Sequence, residues 1–509
     1  MIGRSILSNG AGLVVAGVVS FLIAPLMIHH LGATFYGIWV LAGSLLDYSG
    51  LIDTGMRTAL FRFVAGYHGT GDREGLNRTL ANALALTGGS AVIVLAVLPG
   101  LAVWTPGWFV TGATARAEFR ETVVLVGLSL AFTFPARALG SYMSGVRRFD
   151  LFNLGTIATL LVRNGLIALL LIEGRGIVAL AAATLAAAVF GLGFQAVLLR
   201  WGDPGAQLRW RLATWNGVKE LIGYGAYAFG ALCGESLRSY TDAIVIARVL
   251  SVALITPFNI ATRLIEYMKF LFSAAGSPLM GLMSELEGRG ERAWLCQVFL
   301  RSTRYFALGA FFTGGLFWLD GRALIELWVG ASYSSSYPLL LALALGYVFS
   351  CAQLPSNLLL FATARHRFLA WLTLAEGGVN LGLSVLWGRQ YGLMGVALGT
   401  TLPLLAACVL VEPVYVLRVT GIPLRTYVYE GFMRPAAAAA LFLAVASVPG
   451  WPEAEGSWSH LLLAGTCQTG IFAACAAALG LDRRERREIW KSSRGALQGL
   501  RTAAVEATR

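Results

Sequence analysis

The residues of this sequence that could do chemistry are charged side chains within long apolar segments. Segment 252–286 carries Arg263, Glu266 and Lys269 at three-residue steps, which cover an arc of about 120° on a helix. If such a segment crosses a bilayer, a charge near its centre costs at least about 2.5 to 3.5 kcal/mol, so it faces a cavity or a partner. Positive charge is in excess here, and the pattern favours a cavity that faces an anion.

A second set of charges lies in the preceding apolar segment, 220–249. Glu235, Arg238 and Asp242 stand at positions i, i+3 and i+7, which share one face of a helix. These three charges either neutralise one another or line the same cavity, and both interpretations stay open. A later apolar segment adds the carboxylate of Glu376.

A third set lies in the first half of the chain. Asp47 falls at mid-depth of segment 35–61, and Asp53 and Arg57 follow it four residues apart. Asp53 and Arg57 have two open interpretations, an ion pair within the helix near the inner interface or part of the cavity. Arg163 lies deep in its segment, which favours a functional role, whereas Arg137 is placed to extend towards the cytoplasm.

The segments that must position these charges are transmembrane helices. The 509 residues are 57% hydrophobic and only 13% charged, with a mean hydropathy of +0.69. Apolar runs of some 20 residues, which suffice to cross a hydrocarbon core of about 30 Å, recur about fourteen times between Asn9 and Trp490. Lipid leaves helices as the only way to satisfy their backbone, because no barrel alternation is present. The sequence therefore predicts an all-α integral membrane protein.

The orientation follows from the distribution of arginine. Basic connections alternate with connections nearly free of positive charge, such as 32–34, 251–253 and 450–459. By the positive-inside rule the basic connections and both termini are cytoplasmic. The formal net charge of +12 then indicates membrane topology and attraction to anionic lipids at the cytoplasmic face, rather than binding of nucleic acid. The basic connections are those around Arg62, Arg73, Arg147, Arg200, Arg289 and Arg292, Arg365 and Arg367, and Arg418 and Arg425.

The chain contains a repeated pattern that predicts two lobes. Residues 31–48 align without gaps on residues 250–267, and Asp47 falls on Glu266. Such an internal repeat is typical of duplicated transporters. The predicted domains are an N-terminal lobe (1–200), a cytoplasmic linker (201–219), a C-terminal lobe (220–420), an extra helix pair (421–481) and a basic cytoplasmic tail (482–509).

Several classes of enzyme are excluded by missing motifs. The three lysines follow Val, Met and Trp, so there is no GK[ST] phosphate loop, and neither a D-x-D pair nor HExxH occurs. The six cysteines and five histidines are scattered, which predicts neither a disulfide framework nor a metal site. We therefore expect no cofactor and no enzymatic activity, and a protein that moves a substrate across the membrane.

The sequence resembles a known family at its first two and its seventh and eighth helices. Asn9 and Pro25 mark the ends of the first helix, and LGATFYGIWVLAGSLLDYSGLIDTGM (31–56) and FRFVAGYHGTGDREGLNR (61–78) follow. The segment YTDAIVIARVL (240–250) begins the second lobe in the same manner. These stretches are similar to the Wzx-type polysaccharide flippases of the multidrug, oligosaccharidyl-lipid and polysaccharide exporter superfamily, which serve O-antigen, lipopolysaccharide and exopolysaccharide assembly.

The resemblance implies two pseudo-symmetric six-helix lobes and an extra helix pair around a central cavity. It further implies transport of undecaprenyl-diphosphate-linked oligosaccharide from the inner to the outer leaflet of the bacterial cytoplasmic membrane. A polysaccharide polymerase and other assembly proteins are implied partners, and H⁺ or Na⁺ is an implied coupling ion. Arginine suits a diphosphate because it can bind phosphate oxygens in pairs. The candidate ligands of the diphosphate are Arg57, Arg163, Arg238, Arg263 and Lys269, and those for ion coupling or sugar contact are Asp47, Asp53, Glu235, Asp242 and Glu266.

Three alternatives differ in substrate or class. Lipid II flippases have the same fold and use a cationic residue within the first helix, but this chain has none between Arg4 and His29. A drug exporter would have about twelve helices and an acidic cavity. A membrane-embedded polymerase or ligase would need a substantial external loop, and the external connections predicted here are short.

Overall fold

The computed structural model describes the backbone of residues 2–48, 50–448, 456–482 and 485–486, and the side chains of these residues apart from 2–14, 50–58 and 224–232. The side chains of Asp53 and Arg57 thus lie outside the described residues, and so does most of the predicted basic tail.

Every regular element in the described ranges is a helix. Glycine at positive φ separates two helices at Gly32 (φ 71°) within α1 and at Gly392 (φ 60°) within α12, a conformation that suits a residue without a side chain. The α-helices are α1 (Ile2–Asp47), α2 (Gly50–Thr70), α3 (Arg73–Phe109), α4 (Ala113–Gly145), α5 (Phe149–Ile172), α6 (Ile177–Gly202), α7 (Trp215–Val249), α8 (Ile255–Gly288), α9 (Arg292–Val329), α10 (Ser336–Ala352), α11 (Leu354–Ala362), α12 (His366–Ala406), α13 (Glu412–Thr420), α14 (Leu424–Val428), α15 (Arg434–Ala446) and α16 (Trp458–Cys475).

These helices account for the fourteen predicted spans. The two bent helices each contribute parts of two spans, and the pairs α10 with α11, α12 with α13, and α14 with α15 each continue one span. In the described part of the chain, nine helices are long and apolar enough to cross a membrane, judged by length and composition alone. Helix α8, which carries Arg263, Glu266 and Lys269, is not among them. The predicted all-α membrane fold is confirmed.

The chain forms two compact units. The first comprises the described parts of Met1–Tyr267 together with Arg367–Pro403, and the second comprises Met268–His366 and the described residues from Leu404 onward. This division follows spatial proximity, and the boundaries of the lobes inferred from the repeat remain a prediction.

In the first unit, the polar linker after α6 is held against α3. The backbone amide of Gln207 donates to Asn77 Oδ1 at 2.9 Å, and that of Thr214 donates to Asn82 Oδ1 at 2.7 Å. Asp203 accepts from Tyr142 at 2.8 Å and pairs with Arg73 at 2.6 Å. The linker is not helical at these two amides, so its backbone needs other hydrogen-bond partners, and the side chains of Asn77 and Asn82 provide them. These hydrogen bonds fix the path of the linker along α3.

In the second unit, each of three short π-helical turns has a carbonyl that accepts a hydrogen bond from a side chain of another element. Gln353 donates to the carbonyl of Cys408 in Ala407–Val411 at 2.8 Å. Arg304 donates to the carbonyl of Glu430 in Tyr429–Met433 at 2.8 Å, and Arg486 donates to that of Ala478 in Ala476–Gly480 at 2.9 Å. A π-helical turn changes the regular backbone hydrogen-bond pattern of a helix. The side chains of Gln353, Arg304 and Arg486 donate to carbonyl groups within these turns.

Candidate functional site

The two copies of the internal repeat face each other in the first unit. Tyr36 donates to Asn259 Oδ1 at 2.9 Å, and Thr256 donates to the carbonyl of Ala33 at 2.6 Å. A Cβ atom at Gly37 would lie 2.2 Å from the carbonyl oxygen of Val252, so only glycine permits this approach. The turn at the start of each copy is thereby fixed against the other, and the charged stretches that follow extend from this contact.

The first candidate site is a cationic cluster formed by four helices of this unit. Asp47 of α1 interacts electrostatically with Arg137 of α4, Arg163 of α5 and Arg263 of α8. All four side chains are exposed although their helices belong to predicted membrane spans. Three guanidinium groups against the carboxylates of Asp47 and Glu266, which interacts with Arg263, leave a net charge of +1. This cationic cluster provides the planar, fixed-charge groups that bind phosphate oxygens in pairs.

Two neighbours orient the arginine at the end of this cluster. The Tyr36 hydroxyl accepts a hydrogen bond from Arg263 and donates its own to Asn259. Glu266, an exposed residue one turn away, also interacts electrostatically with Arg263. Arg263 is therefore held by a neutral hydroxyl and a partial counter-charge, which leaves its guanidinium able to bind a further anion.

The predicted face of α7 divides into two separate arrangements. Arg238 pairs with Glu376 of α12 at 2.9 Å and also with Glu235. The side chains of Arg238 and Glu376 are 10% and 5% exposed. Two carboxylates thus balance this arginine, which agrees with the neutralising interpretation of the pattern, with Glu376 taking part in place of Asp242.

Asp242 lies instead in a buried group of oxygen atoms, the second candidate site. Its Oδ2 accepts from Thr400 at 2.8 Å, and Thr400 accepts from Asn380 Nδ2 at 2.8 Å. Ser384 lies beside the carboxylate and bonds to the carbonyl of Val396 at 3.5 Å. All five residues are buried. Two oxygens of this Asp242 site, Asp242 Oδ1 and Asn380 Oδ1, have no hydrogen-bond partner.

The oxygen atoms of the Asp242 site could hold a small cation. A buried acceptor without a partner costs about 1 to 3 kcal/mol, and binding a cation is one way to remove that cost. One carboxylate with amide, hydroxyl and carbonyl oxygens is a hard, singly charged ligand set. In the described part of the chain, no group of three or more His, Cys, Asp or Glu side chains could hold a metal ion. The ligand set therefore favours a monovalent ion.

Close backbone packing positions the Asp242 site. A Cβ at Gly234 would lie 2.5 Å from the carbonyl carbon of Thr373, so α7 and α12 approach without a side chain between them. The chain reverses direction at Gly392, so the second half of α12 packs against its first half. The helical turn of Asn380 and Ser384 therefore lies next to that of Thr400.

Adjacent residues connect the two candidate sites. Tyr48 follows Asp47, Thr241 precedes Asp242, and their hydroxyl oxygens lie 2.6 Å apart. The ring of Tyr48 also contacts that of Tyr240 edge-on, with centroids 5.7 Å apart. One hydrogen bond therefore joins the residues that are adjacent to the two carboxylates.

The structure brings some of the predicted site residues together. Asp47, predicted for ion coupling or sugar contact, interacts with Arg163 and Arg263, two predicted ligands of the diphosphate, and Arg137 joins them although its position had suggested the cytoplasmic interface. Lys269 lies in the second unit, with its ammonium 5.3 Å from the ring centre of Tyr347. Asn380, Ser384 and Thr400 were not among the predicted site residues. The available signal was their spacing, since polar residues stand four apart before Gly392 and a further one follows it.

Comparisons with known proteins agree with this architecture. A family model described as "Polysaccharide biosynthesis protein" matches residues 87–338. The membrane protein EpsK of Bacillus subtilis (strain 168), described as uncharacterized, is 23% identical over 488 residues, which cover 94% of this chain and 95% of that protein. The solved structure "Lipid II flippase MurJ, inward closed conformation" aligns with a TM-score of 0.69 at 13% identity, over 92% of this chain and 98% of that one.

A second class of solved structure aligns as well. An inward-facing multidrug resistance MATE family transporter of the MOP superfamily has a TM-score of 0.59 at 17% identity, over 82% of this chain and 94% of that one. This chain shares the fold of these two solved transporters. The predicted resemblance to the polysaccharide flippases is confirmed. The range 87–338 that the family model matches includes Arg137, Arg163, Asp242 and Arg263.

Proposed function

We propose that this chain is a flippase that carries undecaprenyl-diphosphate-linked oligosaccharide from the inner to the outer leaflet for cell-surface polysaccharide assembly. The observation that carries the proposal is the cationic cluster, in which the carboxylate of Asp47 interacts electrostatically with Arg137, Arg163 and Arg263. With Glu266 included, these exposed groups carry a net charge of +1 within membrane helices, and an anionic counterpart offsets the cost of that charge. The diphosphate supplies that counterpart.

The chemistry of the substrate agrees with the kind of side chain present. Each guanidinium can donate two parallel hydrogen bonds to a phosphate group, and several can share the oxygens of a diphosphate. The exposed carboxylates of Asp47 and Glu266 can accept hydrogen bonds from sugar hydroxyls. The polyprenyl chain can stay in the bilayer during transport, since it gains nothing from an aqueous cavity.

The Asp242 site supplies the driving ion in this proposal. Na⁺ binds Asp242 Oδ1 and Asn380 Oδ1, the two oxygens that lack donors, with Thr400, Ser384 and the carbonyl of Val396 nearby. Binding changes the position of the Asp242 carboxylate, and the Tyr48–Thr241 hydrogen bond passes this change to Asp47. Na⁺ and the lipid-linked anion thereby influence each other's affinity, as reciprocal coupling requires.

The orientation completes the proposal. We place both termini in the cytoplasm of a bacterium, with the basic connections at the inner leaflet beside anionic lipids. A polymerase and other assembly proteins would receive the translocated units at the outer face. Five other predicted residues stay as candidate contacts of the substrate or ion. They are Arg57, Asp53, Lys269, Arg238 and Glu235.

Transport in proteoliposomes tests the proposal. Purified protein is reconstituted with a fluorescent undecaprenyl-diphosphate oligosaccharide, and flipping is followed by loss of fluorescence to a membrane-impermeant quencher. We expect Arg163→Ala and Arg263→Ala to lose most of the flipping at unchanged folded yield. The matched control is Arg322→Ala, because Arg322 is exposed and pairs with Glu326 one turn away.

Competing substrates decide between the alternatives. Lipid II carries the same diphosphate and polyprenyl groups on a different head group, so preference for lipid II would assign the chain to peptidoglycan precursor transport. Extrusion of organic cations without movement of either lipid would refute the flippase proposal. Flipping driven by a proton gradient and indifferent to Na⁺ would keep the flippase and overturn the choice of ion.

A further inference from the structure

In the second unit, the ends of four helices surround a cavity of about 80 Å³. The end of α8, the start of α9 and the ends of α11 and α13 contribute to its wall. The sequence predicts that these ends are cytoplasmic, because each belongs to an arginine-rich connection. The lining residues are Glu287, Arg292, Leu295, Cys296, Leu359, Thr363, Arg365, Val419 and Thr420.

Two arginines give this cavity a positive charge. Arg292 donates to the carbonyl of Val419 at 2.5 Å, which fixes its guanidinium without neutralising it. Arg365 follows a turn in which Ala364 has a φ of 56°, and it is exposed. Within the described part of the chain, neither arginine has a carboxylate within 4.0 Å. Glu287 is the single acidic residue of the lining, so the net charge is +1.

Part of the remaining wall is apolar, beside the polar side chains of Thr363 and Thr420. Leu295, Leu359 and Val419 are buried hydrophobic residues of the lining. Exposed hydrophobic side chains lie nearby in the sequence: Phe361 of α11 is 46% exposed and follows Leu359, and Leu282 of α8 is 40% exposed and precedes Glu287. A site with cationic and apolar walls at a helix end suits the head group of a lipid better than a free ion, because the lipid can use both.

We propose that this cavity, the Arg292–Arg365 cavity, binds the phosphate head group of an anionic phospholipid from the cytoplasmic leaflet. The phosphate oxygens accept hydrogen bonds from the two guanidinium groups, and the glycerol and upper acyl carbons contact the leucines and the valine. The preformed position of Arg292 lowers the entropy lost on binding. None of the residues of the two candidate transport sites takes part.

Cys296 provides a direct readout of occupancy. It is a free cysteine of intermediate exposure whose thiol lies 3.8 Å from the carbonyl of Thr420, inside the lining. A bound head group therefore slows alkylation of Cys296 by N-ethylmaleimide. Cys467 of α16 has similar exposure and does not line the cavity, so it reports general effects of lipid on the reagent.

The experiment measures the alkylation rate of each cysteine by peptide mass spectrometry on the full-length protein. Detergent micelles are supplemented with phosphatidylglycerol, with phosphatidylcholine, or with inorganic phosphate. We expect phosphatidylglycerol alone to protect Cys296, and Arg365→Gln to raise the half-protecting concentration about tenfold. The control Arg418→Gln removes an exposed arginine of α13 that does not line the cavity and leaves protection unchanged.

The other outcomes decide against the proposal or its lipid source. Equal protection by inorganic phosphate would keep the anion site and overturn the lipid as its ligand. Equal protection by phosphatidylcholine, or protection that survives both Arg365→Gln and Arg292→Gln, would overturn the site. Because the readout is occupancy rather than transport, a failure of the proposed flippase activity would not alter it.

Discussion

The hydroxyl oxygens of Tyr48 and Thr241 lie 2.6 Å apart, and these two residues are sequence neighbours of Asp47 and Asp242. The hydrogen bond therefore joins the helix that carries the acidic member of the cationic cluster to the helix that carries the only carboxylate of the Asp242 site. It crosses 193 residues of sequence. In the proposed transport cycle this contact is the shortest connection between ion and substrate.

Replacing Tyr48 with Phe removes this hydrogen bond and keeps the ring. We expect Na⁺ binding at the Asp242 site to persist. The ratio of substrate affinities with and without Na⁺ should fall about fivefold, which corresponds to the free energy of one neutral hydrogen bond. The measurement is substrate affinity with and without Na⁺. Tyr337→Phe is the control, since Tyr337 donates to the carbonyl of Trp318 at an exposed position. Unchanged coupling in Tyr48→Phe would rule out this route.

The Asp242→Asn variant tests the ion site directly. A ligand that binds only the folded state stabilises it by about 2.7 kcal/mol at a hundredfold excess over its Kd. We expect Na⁺ to raise the unfolding temperature of the native protein and to have no effect on Asp242→Asn, because an amide lacks the charge that holds the ion. Thermal unfolding in NaCl and in choline chloride gives the result. Glu220→Gln, an exposed carboxylate on the same helix, should keep the Na⁺ response. A persistent response in Asp242→Asn would place the ion elsewhere.

Arg263→Lys separates charge from geometry in the cationic cluster. Lysine keeps the positive charge but cannot form two parallel hydrogen bonds to phosphate or the same bond to Tyr36. We expect the apparent affinity for the lipid-linked diphosphate to fall about tenfold, less than in Arg263→Ala. Initial flipping rates over a range of substrate densities measure it. Full activity with lysine would mean that Arg263 acts as a point charge only.

Arg238→Gln tests whether Arg238 balances buried carboxylates. Removing it leaves Glu376 buried without its 2.9 Å partner, which destabilises the fold by roughly 3 kcal/mol. The double variant Arg238→Met with Glu376→Leu should recover most of that loss, because an apolar pair needs no counter-charge. Thermal unfolding compares the variants, and Arg322→Gln serves as the exposed control. A stable Arg238→Gln variant that lost transport would instead support Arg238 as a substrate ligand.

The sequence by itself determined the class of the fold and which charges share a face of one helix. Apolar runs of spanning length can only form helices in lipid, so fourteen helices followed from composition and length. The helical period then fixed which charges share a face of one helix, as for Glu235, Arg238 and Asp242. Two predicted helix boundaries lie close to the observed ones. Gly32 and Gly392 interrupt the apolar runs at the positions where the backbone has positive φ.

Only the tertiary structure decided which charges are partners. Arg238 is balanced by Glu376, which lies 138 residues away, and Asp242 of the same face is left to Thr400, 158 residues away. The physical reason is that pairing depends on how closely two helices approach. The distance between two helices is set by small residues such as Gly234. The spacing of charges along a helix contains no information about that distance. The same limit applies to Arg137, whose place in the cationic cluster depends on the packing of α4 against its neighbours rather than on its position along the helix.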